Sequence, residues 1–355
     1  MMPSASSKTT ASAVQPKPLR VGYLALTDAA PFVAAEHLGL FARHRLNVEL
    51  RREIGWATIR EKIAYGELDA AQAPAPMLWS IQLGLGCSSC DVLTALVLSL
   101  HGNALTLSTA LWNAGVRDGV SLRSHIRAHH TRQPLTLGGA FRFSSHHLLM
   151  LEWLRAAGLE PDRDVRIVVV PPAQMFRNLA AGTIDGYYAG EPWNTLAVRE
   201  GAGWCPTWSS AQSPGHLEKI LLVTRRFAET RASEHAALIS ALLEACAWCD
   251  EPQNREPLAQ LLSEPRYLNL STRVIAPALL GRFACGHDRV ERVPDFHVFH
   301  HGDINVPIAT KATALQRDLG AAGLLSPSAA NDPELPHRLF REDIYREVVR
   351  ELAVP

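Results

Sequence analysis

Residues 168–194, VVVPPAQMFRNLAAGTIDGYYAGEPWN, constrain the fold more than any other stretch of the chain. Three valines run into Pro171 and Pro172, which reads as a buried strand halted at a turn, because proline cannot donate to a strand ladder. Met175, Leu179 and Ala180 then recur at helical spacing, and Gly182 closes the helix where a left-handed residue is wanted. Ile184 to Ala189 restarts a strand that ends in Gly190, Glu191, Pro192 and Trp193. The pattern is one βαβ unit, and parallel strands joined by a helix require a sheet covered by helices. Asp185 at the head of the second strand and Glu191 and Trp193 at its foot suit a cleft floor, although ordinary packing would use them equally well.

The same alternation runs through the rest of the chain. A strand over 19–26 stops at Thr27-Asp28, and a helix follows with Asp28 near its start and Gly39 near its end. NVELRRE alternates as a strand, Gly55-Trp56 leads into the helix TIREKIAYG, and residues 68–73 form a strand of small side chains. Pro74 and Pro76 open another helix, and TALVLSL is a further strand. The chain breaks at His101-Gly102-Asn103, continues as ALTLS, and is polar and irregular over 109–133. A second α/β unit then begins with LTLGG, a helix over 145–159 and the strand RIVVV; KILLVT returns as a strand at 219–224, and the chain is mainly helical from 233. At 355 residues the chain exceeds one ordinary domain. The expectation is lobe I from 19–104 and 215–355, lobe II from 105–214, and a disordered leader over 1–18.

Charge and composition remove several function classes. Thirty-five basic residues balance 35 acidic ones, so there is no excess with which to neutralise a phosphate backbone. No stretch reaches the roughly 18 apolar residues of a membrane span, and the first residues lack the apolar core of an export signal, so a cytoplasmic protein is expected. Cys87 and Cys90, and Cys246 and Cys249, have the C-x-x-C spacing of zinc ligands, but the second pair sits in an apolar helical run where thiols pack as core. The 15 His residues show no ligand spacing, and neither a metal nor a cofactor is expected.

Four places offer recognition chemistry. The loop from Gly138 to His146 ends a strand and opens a helix capped by Ser144 or Ser145; Gly139 permits close backbone approach, and the free N–H groups there favour a small anion. His146 in the first turn adds a ring N–H. Trp56 at a strand-to-helix corner can lay its face on a planar ion, and Asn103 offers an amide donor. Lys219 heading an apolar strand can supply a fixed positive charge. No nucleophile elbow, P-loop or H-E-x-x-H is present, so catalysis has no support.

LTDAAPFVAAEHLGLF, GELDAAQAPAPM, the 168–194 stretch and AWCDEPQN together resemble the nitrate/bicarbonate solute-binding proteins of ABC transporters, over about residues 19–305. Within that family the chain is most similar to cytoplasmic nitrate/nitrite sensors of the NasS type, which hold an RNA-binding antiterminator of the NasT type inactive until the anion arrives. The resemblance implies an α/β, two-lobed periplasmic-binding-protein-like (type II) clamp. It places ligand contacts on Trp56, Asn103, His146 and Lys219, with Asp28, Gly139, Ser145, Glu191 and Trp193 lining the cleft. Lysine at position 219 belongs to the nitrate-type pattern and an acid there to the bicarbonate type, so bicarbonate is disfavoured. The ligand grip is expected to be a lone ammonium assisted by neutral donors. A transporter-coupled binding protein and an enzyme on a related clamp, acting on a thiamine precursor, are the alternatives.

Overall fold

The computed structural model describes residues 18–128 and 134–352; the expected leader falls almost wholly outside them. Fourteen strands are present among the described residues: β1 (Leu19–Leu24), β2 (Val48–Glu53), β3 (Ala70–Pro74), β4 (Val92–Leu93), β5 (Val97–His101), β6 (Asn103–Ser108), β7 (Leu135–Gly139), β8 (Val165–Val169), β9 (Gly186–Gly190), β10 (Gly203–Trp208), β11 (Leu217–Thr224), β12 (Arg282–Gly286), β13 (Arg289–Arg292) and β14 (His297–Val298). They make two main sheets. The first runs β14-β5-β11-β3-β1-β2 with β4 beside β11, and the second runs β10-β6-β9-β7-β8. β1 pairs in parallel with β2 and β3, and β7 in parallel with β8 and β9. β11 and β6 are antiparallel to their neighbours, as befits strands that carry the chain out of one sheet and back into it.

The opening stretch folds as a crossover, with a refinement. β8 and β9 are not neighbours; both flank β7, and the helix Pro172–Ala180 carries the chain over it. β8 is therefore an edge strand, and Val169 is 68% exposed, not buried as the valine run suggested. Proline at the helix start and Gly182 at φ 69 after its end bound the helix as expected. Ser144 caps the helix Ser145–Ala156, accepting from the His147 N–H at 3.3 Å.

One expectation is corrected. Residues 109–128 are not irregular: they form the helices Thr109–Asn113 and Gly119–Ala128, the first capped by Ser108 and the second entered through the Asp118–Ser121 hydrogen bonds. Each needs few apolar contacts because it lies on the surface, with Leu111 and Leu122 turned inward. The C-terminal region contains the hairpin β12–β13, turned at His287 and Asp288, both at positive φ; its Phe283 packs with Cys205, Cys285 and Phe296 beside the second sheet. Asp28 lies just before the first α-helix, as expected, and its carboxylate faces Gln72 and Lys219. The segment after 305 is built into the first unit, where Trp79 stacks obliquely against Phe340 and donates its indole N–H to Gln316 at 2.9 Å.

The chain crosses from the first sheet to the second between β5 and β6 and returns between β10 and β11. His101, at φ 62, and Gly102, at φ 91, join β5 to β6. The His101 ring donates from Nδ1 to the Asp295 carbonyl (2.8 Å) and accepts at Nε2 from the Gly215 N–H (2.7 Å), so three connections are stapled by one imidazole. Burial lowers its pKa, and the neutral ring is the form that can both donate and accept. A Cβ on Gly102 would lie 2.5 Å from the His297 ring, so glycine is required there by space as well as by φ.

Candidate functional site

The site forms where the two sheets face each other, around Lys219 on β11. Its ammonium is buried, 2.8 Å from Asp28 Oδ2 and 2.5 Å from Glu218 Oε1, and lies 5.2 Å from the centre of the Trp56 ring. Asp28 sits in the turn after β1, and Trp56 begins the helix Trp56–Ala64, entered through the extended Gly55. From the other side, β6 brings Asn103, whose Nδ2 donates to Glu218 Oε2 at 2.6 Å. The helix Ser145–Ala156 brings His146, with Nδ1 3.7 Å from Glu218 Oε1, while Ser145 Oγ donates to the Leu217 carbonyl at 2.8 Å. Gly190 closes the back: a Cβ there would stand 3.3 Å from Asn103 Oδ1.

Trp56, Asn103, His146, Lys219, Asp28 and Ser145 thus meet at one place. Gly139, Glu191 and Trp193 do not join the ion cluster. Gly139 lies at the end of β7 against Met150 and His147. The Glu191 carboxylate accepts from its own Thr195 N–H at 3.2 Å, and its backbone ties to Thr27 and Gly102. The Trp193 indole N–H is buried, and its carbonyl accepts from the Tyr187 hydroxyl. No group of His, Cys, Asp and Glu among the described residues is arranged to hold a metal ion.

The picture of a lone ammonium is corrected by two carboxylates. Glu218 and Gln72 were not foreseen. Gln72 accepts the Leu24 N–H at Oε1 (3.2 Å), which turns its amide N–H toward Asp28 Oδ1 at 2.6 Å. Both Asp28 oxygens therefore face donors, and both Glu218 oxygens do likewise. That geometry fits carboxylates, because an acid proton would have no acceptor. Burial works against the charge on Glu218, but the Lys219 ammonium and His146 outweigh it and hold this carboxyl well below the usual range. Burial raises Asp28, opposed by the same ammonium. Burial also works against the charge on Lys219, and the two carboxylates overcome it and keep the ammonium protonated.

The donors left over decide what the site can do. Among the described residues the Trp56 indole N–H, both His146 ring nitrogens and Asn103 Oδ1 are buried without a hydrogen-bond partner. Lys219 has a third N–H and Asn103 a second amide hydrogen. Such buried, unsatisfied groups are costly unless something completes them. A small group rich in acceptors, flat enough to lie on an indole face, is the complement.

A two-lobed α/β protein of solute-binding architecture, with a buried ion cluster between two mixed sheets, is the class these features define. The chain belongs to the NMT1-like family, whose model matches residues 12–263. It is 35% identical over 95% of its length to the nitrate import ATP-binding protein NrtC of Synechocystis sp., covering 50% of that protein. It is 26% identical over 97% of its length to the bicarbonate-binding protein CmpA of Synechococcus sp., covering 80% of it. The chain spans about half the length of the first of these curated relatives. The crystal structure of the periplasmic nitrate-binding protein NrtA from Synechocystis superposes with a TM-score of 0.90, at 24% identity, over 95% of this chain and 89% of that one. That likeness establishes the solute-binding fold.

Proposed function

We propose that this chain binds a small planar oxyanion, nitrate or nitrite, in the cleft around Lys219, without transforming it. The observation that carries the reading is the convergence from both sheets of buried polar groups with hydrogen-bonding capacity left over, the unpartnered Trp56 N–H beside the Lys219 ammonium on one side and the unpartnered His146 ring nitrogens and Asn103 Oδ1 on the other. A ligand gripped from both sides stabilises the closed cleft over the open one, and only such a difference moves the equilibrium. Nitrate has few atoms, so the best small-ligand efficiency of roughly 1.5 kcal/mol per atom gives about 6 kcal/mol, a dissociation constant of tens of micromolar.

The transport names of the relatives support a role as the solute-binding part of an anion importer. The regulatory reading, a cytoplasmic sensor that controls a NasT-type antiterminator, rests on the resemblance of the motifs. Bicarbonate is the second ligand reading, and Asn103 Oδ1 favours it: this buried acceptor would receive the ligand's own O–H. Calorimetric titration with nitrate, nitrite and bicarbonate tests the ligand, and micromolar nitrate or nitrite binding with bicarbonate at least tenfold weaker is expected. Failure of all three to bind at millimolar concentration sinks the oxyanion reading. For the role, fractionation of the native host and retention of a NasT-type partner without anion separate importer from sensor.

A further inference from the structure

We infer that the cleft takes up one proton with each monoanion it binds, and that His146 is the group that receives it. The inference rests on the oxyanion reading and deepens it: the ligand is held as the ion pair of an acid, not as a bare anion.

Asp28 and Glu218 carry two negative charges and Lys219 one positive charge, so with a neutral imidazole the cluster is already net negative. Every one of these side chains is buried. A monoanion added without a cation would leave two uncompensated negative charges out of water, which costs several kcal/mol for each ion even after relaxation. A proton supplied from solvent cancels one of them.

The geometry selects the acceptor. Asp28 Oδ1 already accepts from Gln72 and Oδ2 pairs with the Lys219 ammonium at 2.8 Å, while the oxygens of Glu218 accept from Lys219 and Asn103. His146 and His216 both have their ring nitrogens buried and unbonded, and His146 is the one that faces Asp28 as well as Glu218 and Lys219. Protonated, it would direct Nδ1–H at Glu218 Oε1, now 3.7 Å away, and leave Nε2–H for the ligand. The charged or titratable groups that face it are Glu218 and Lys219 from β11, Asp28 from the turn after β1, and His147 from its own helix. His216 stands beyond Glu218, with Nε2 3.8 Å from Oε2. Burial keeps both of those other histidines neutral, each lowered to about 4. Burial likewise lowers His146 before the anion arrives, with Glu218 opposing, and a negative charge beside the ring raises it again.

The sign follows directly. A group that gains affinity for protons on binding makes binding tighter as pH falls. Between its free and bound pKa values the dissociation constant changes about tenfold per pH unit. The test is calorimetric titration of the full chain with sodium nitrate at pH 7 in PIPES and in Tris, whose ionisation enthalpies differ widely, followed by a pH series. The expected result is a heat that differs between buffers by about one proton's worth, and a dissociation constant about tenfold weaker at pH 8 than at pH 7. His146→Gln should bind more weakly, with no buffer dependence and a flat pH profile. Nitrate binding with equal heats in both buffers overturns the proton uptake and leaves the oxyanion reading standing. Uptake that persists in His146→Gln overturns the choice of acceptor. If that variant does not fold, the ring 15N shifts of the wild-type histidines on adding nitrate decide: no imidazole moving to the protonated range overturns the assignment. Absence of any binding by nitrate, nitrite or bicarbonate removes the oxyanion reading itself, and the proton with it.

Discussion

Lys219 shows how one residue serves folding and recognition at once. Held between Asp28 and Glu218, it cannot be exchanged for an acid without assembling three buried carboxylates. Lys219→Glu is therefore expected to lose the fold, where a lone ammonium would have allowed a folded, non-binding variant. Lys219→Met, which keeps the volume, should cost about 3–5 kcal/mol in urea unfolding, the usual result of stranding buried charge. Trp56→Phe keeps an aromatic face and deletes the unpartnered N–H; nitrate affinity should fall by about 0.5–1.5 kcal/mol in calorimetry with stability nearly unchanged. Glu191 gives a pH signature away from the cluster. Burial raises its carboxyl from 4.5 to about 7. The folded state then binds the proton more tightly than the unfolded chain, so the cost of this group is absent below the lower value and complete above the higher. Glu191→Gln should accordingly stabilise the protein by up to about 3 kcal/mol at pH 8 and by nothing at pH 4, as read from denaturation at each pH. At this scale Trp56, Asn103, His146 and Lys219 were legible through the family resemblance, and Asp28 through its place after β1. Glu218 was not, because strand alternation sends neighbours to opposite faces. The pairing of β11 with β5 slips on either side of Lys219, and that irregularity lets residues 218 and 219 serve one cluster.

At the scale of elements, β6 is hemmed in on both sides by glycines of its neighbours. A Cβ on Gly186 of β9 would lie 2.7 Å from the Thr106 carbonyl oxygen, and one on Gly203 of β10 would lie 2.9 Å from that of Leu107. Backbone cannot yield as a side-chain tip can, so Gly186→Ala should cost about 1–3 kcal/mol and, by loosening the strand that carries Asn103, weaken anion binding as well. Urea midpoints and a nitrate titration of the same variant check both effects. Elements with a strong period were readable from sequence: β1, β3, β7 and the helix Ser145–Ala156 all fall where apolar spacing and turn residues put them. Elements that rely on few buried side chains were not. The surface helices between 109 and 128 bury little, and the β12–β13 hairpin turns at Gly286, His287 and Asp288, all at positive φ, between strands too short to show a clear alternation.

For the whole molecule, closure is the property to be measured. Gly55 in the first unit and Pro171 in the second stand at the cleft mouth, and a Cβ at Gly55 would lie 4.0 Å from that of Pro171. This falls within the roughly 3.5–4.5 Å of a disulfide, so Gly55→Cys with Pro171→Cys should lock the mouth on oxidation. Oxidised before nitrate is added, the variant should bind at least tenfold more slowly than when reduced; oxidised afterwards, it should retain the ion through dialysis. Equal rates in both redox states would show that the ion enters elsewhere. In the unmodified protein, nitrate at a hundred times its dissociation constant should add about 2.7 kcal/mol of stability, visible as a raised melting temperature.

The imidazole of His101, bonded to Gly215 and to Asp295, gathers three strands of chain into one narrow waist. Backbones bundled in this way would bend more readily about one line than they would twist or slide, so closure of the two halves would follow the swing of a door and not the freedom of a ball in its socket. If an ion closes the cleft as proposed, a permease or a regulatory companion would meet a single angle, and the degree of opening would report whether the ion is bound.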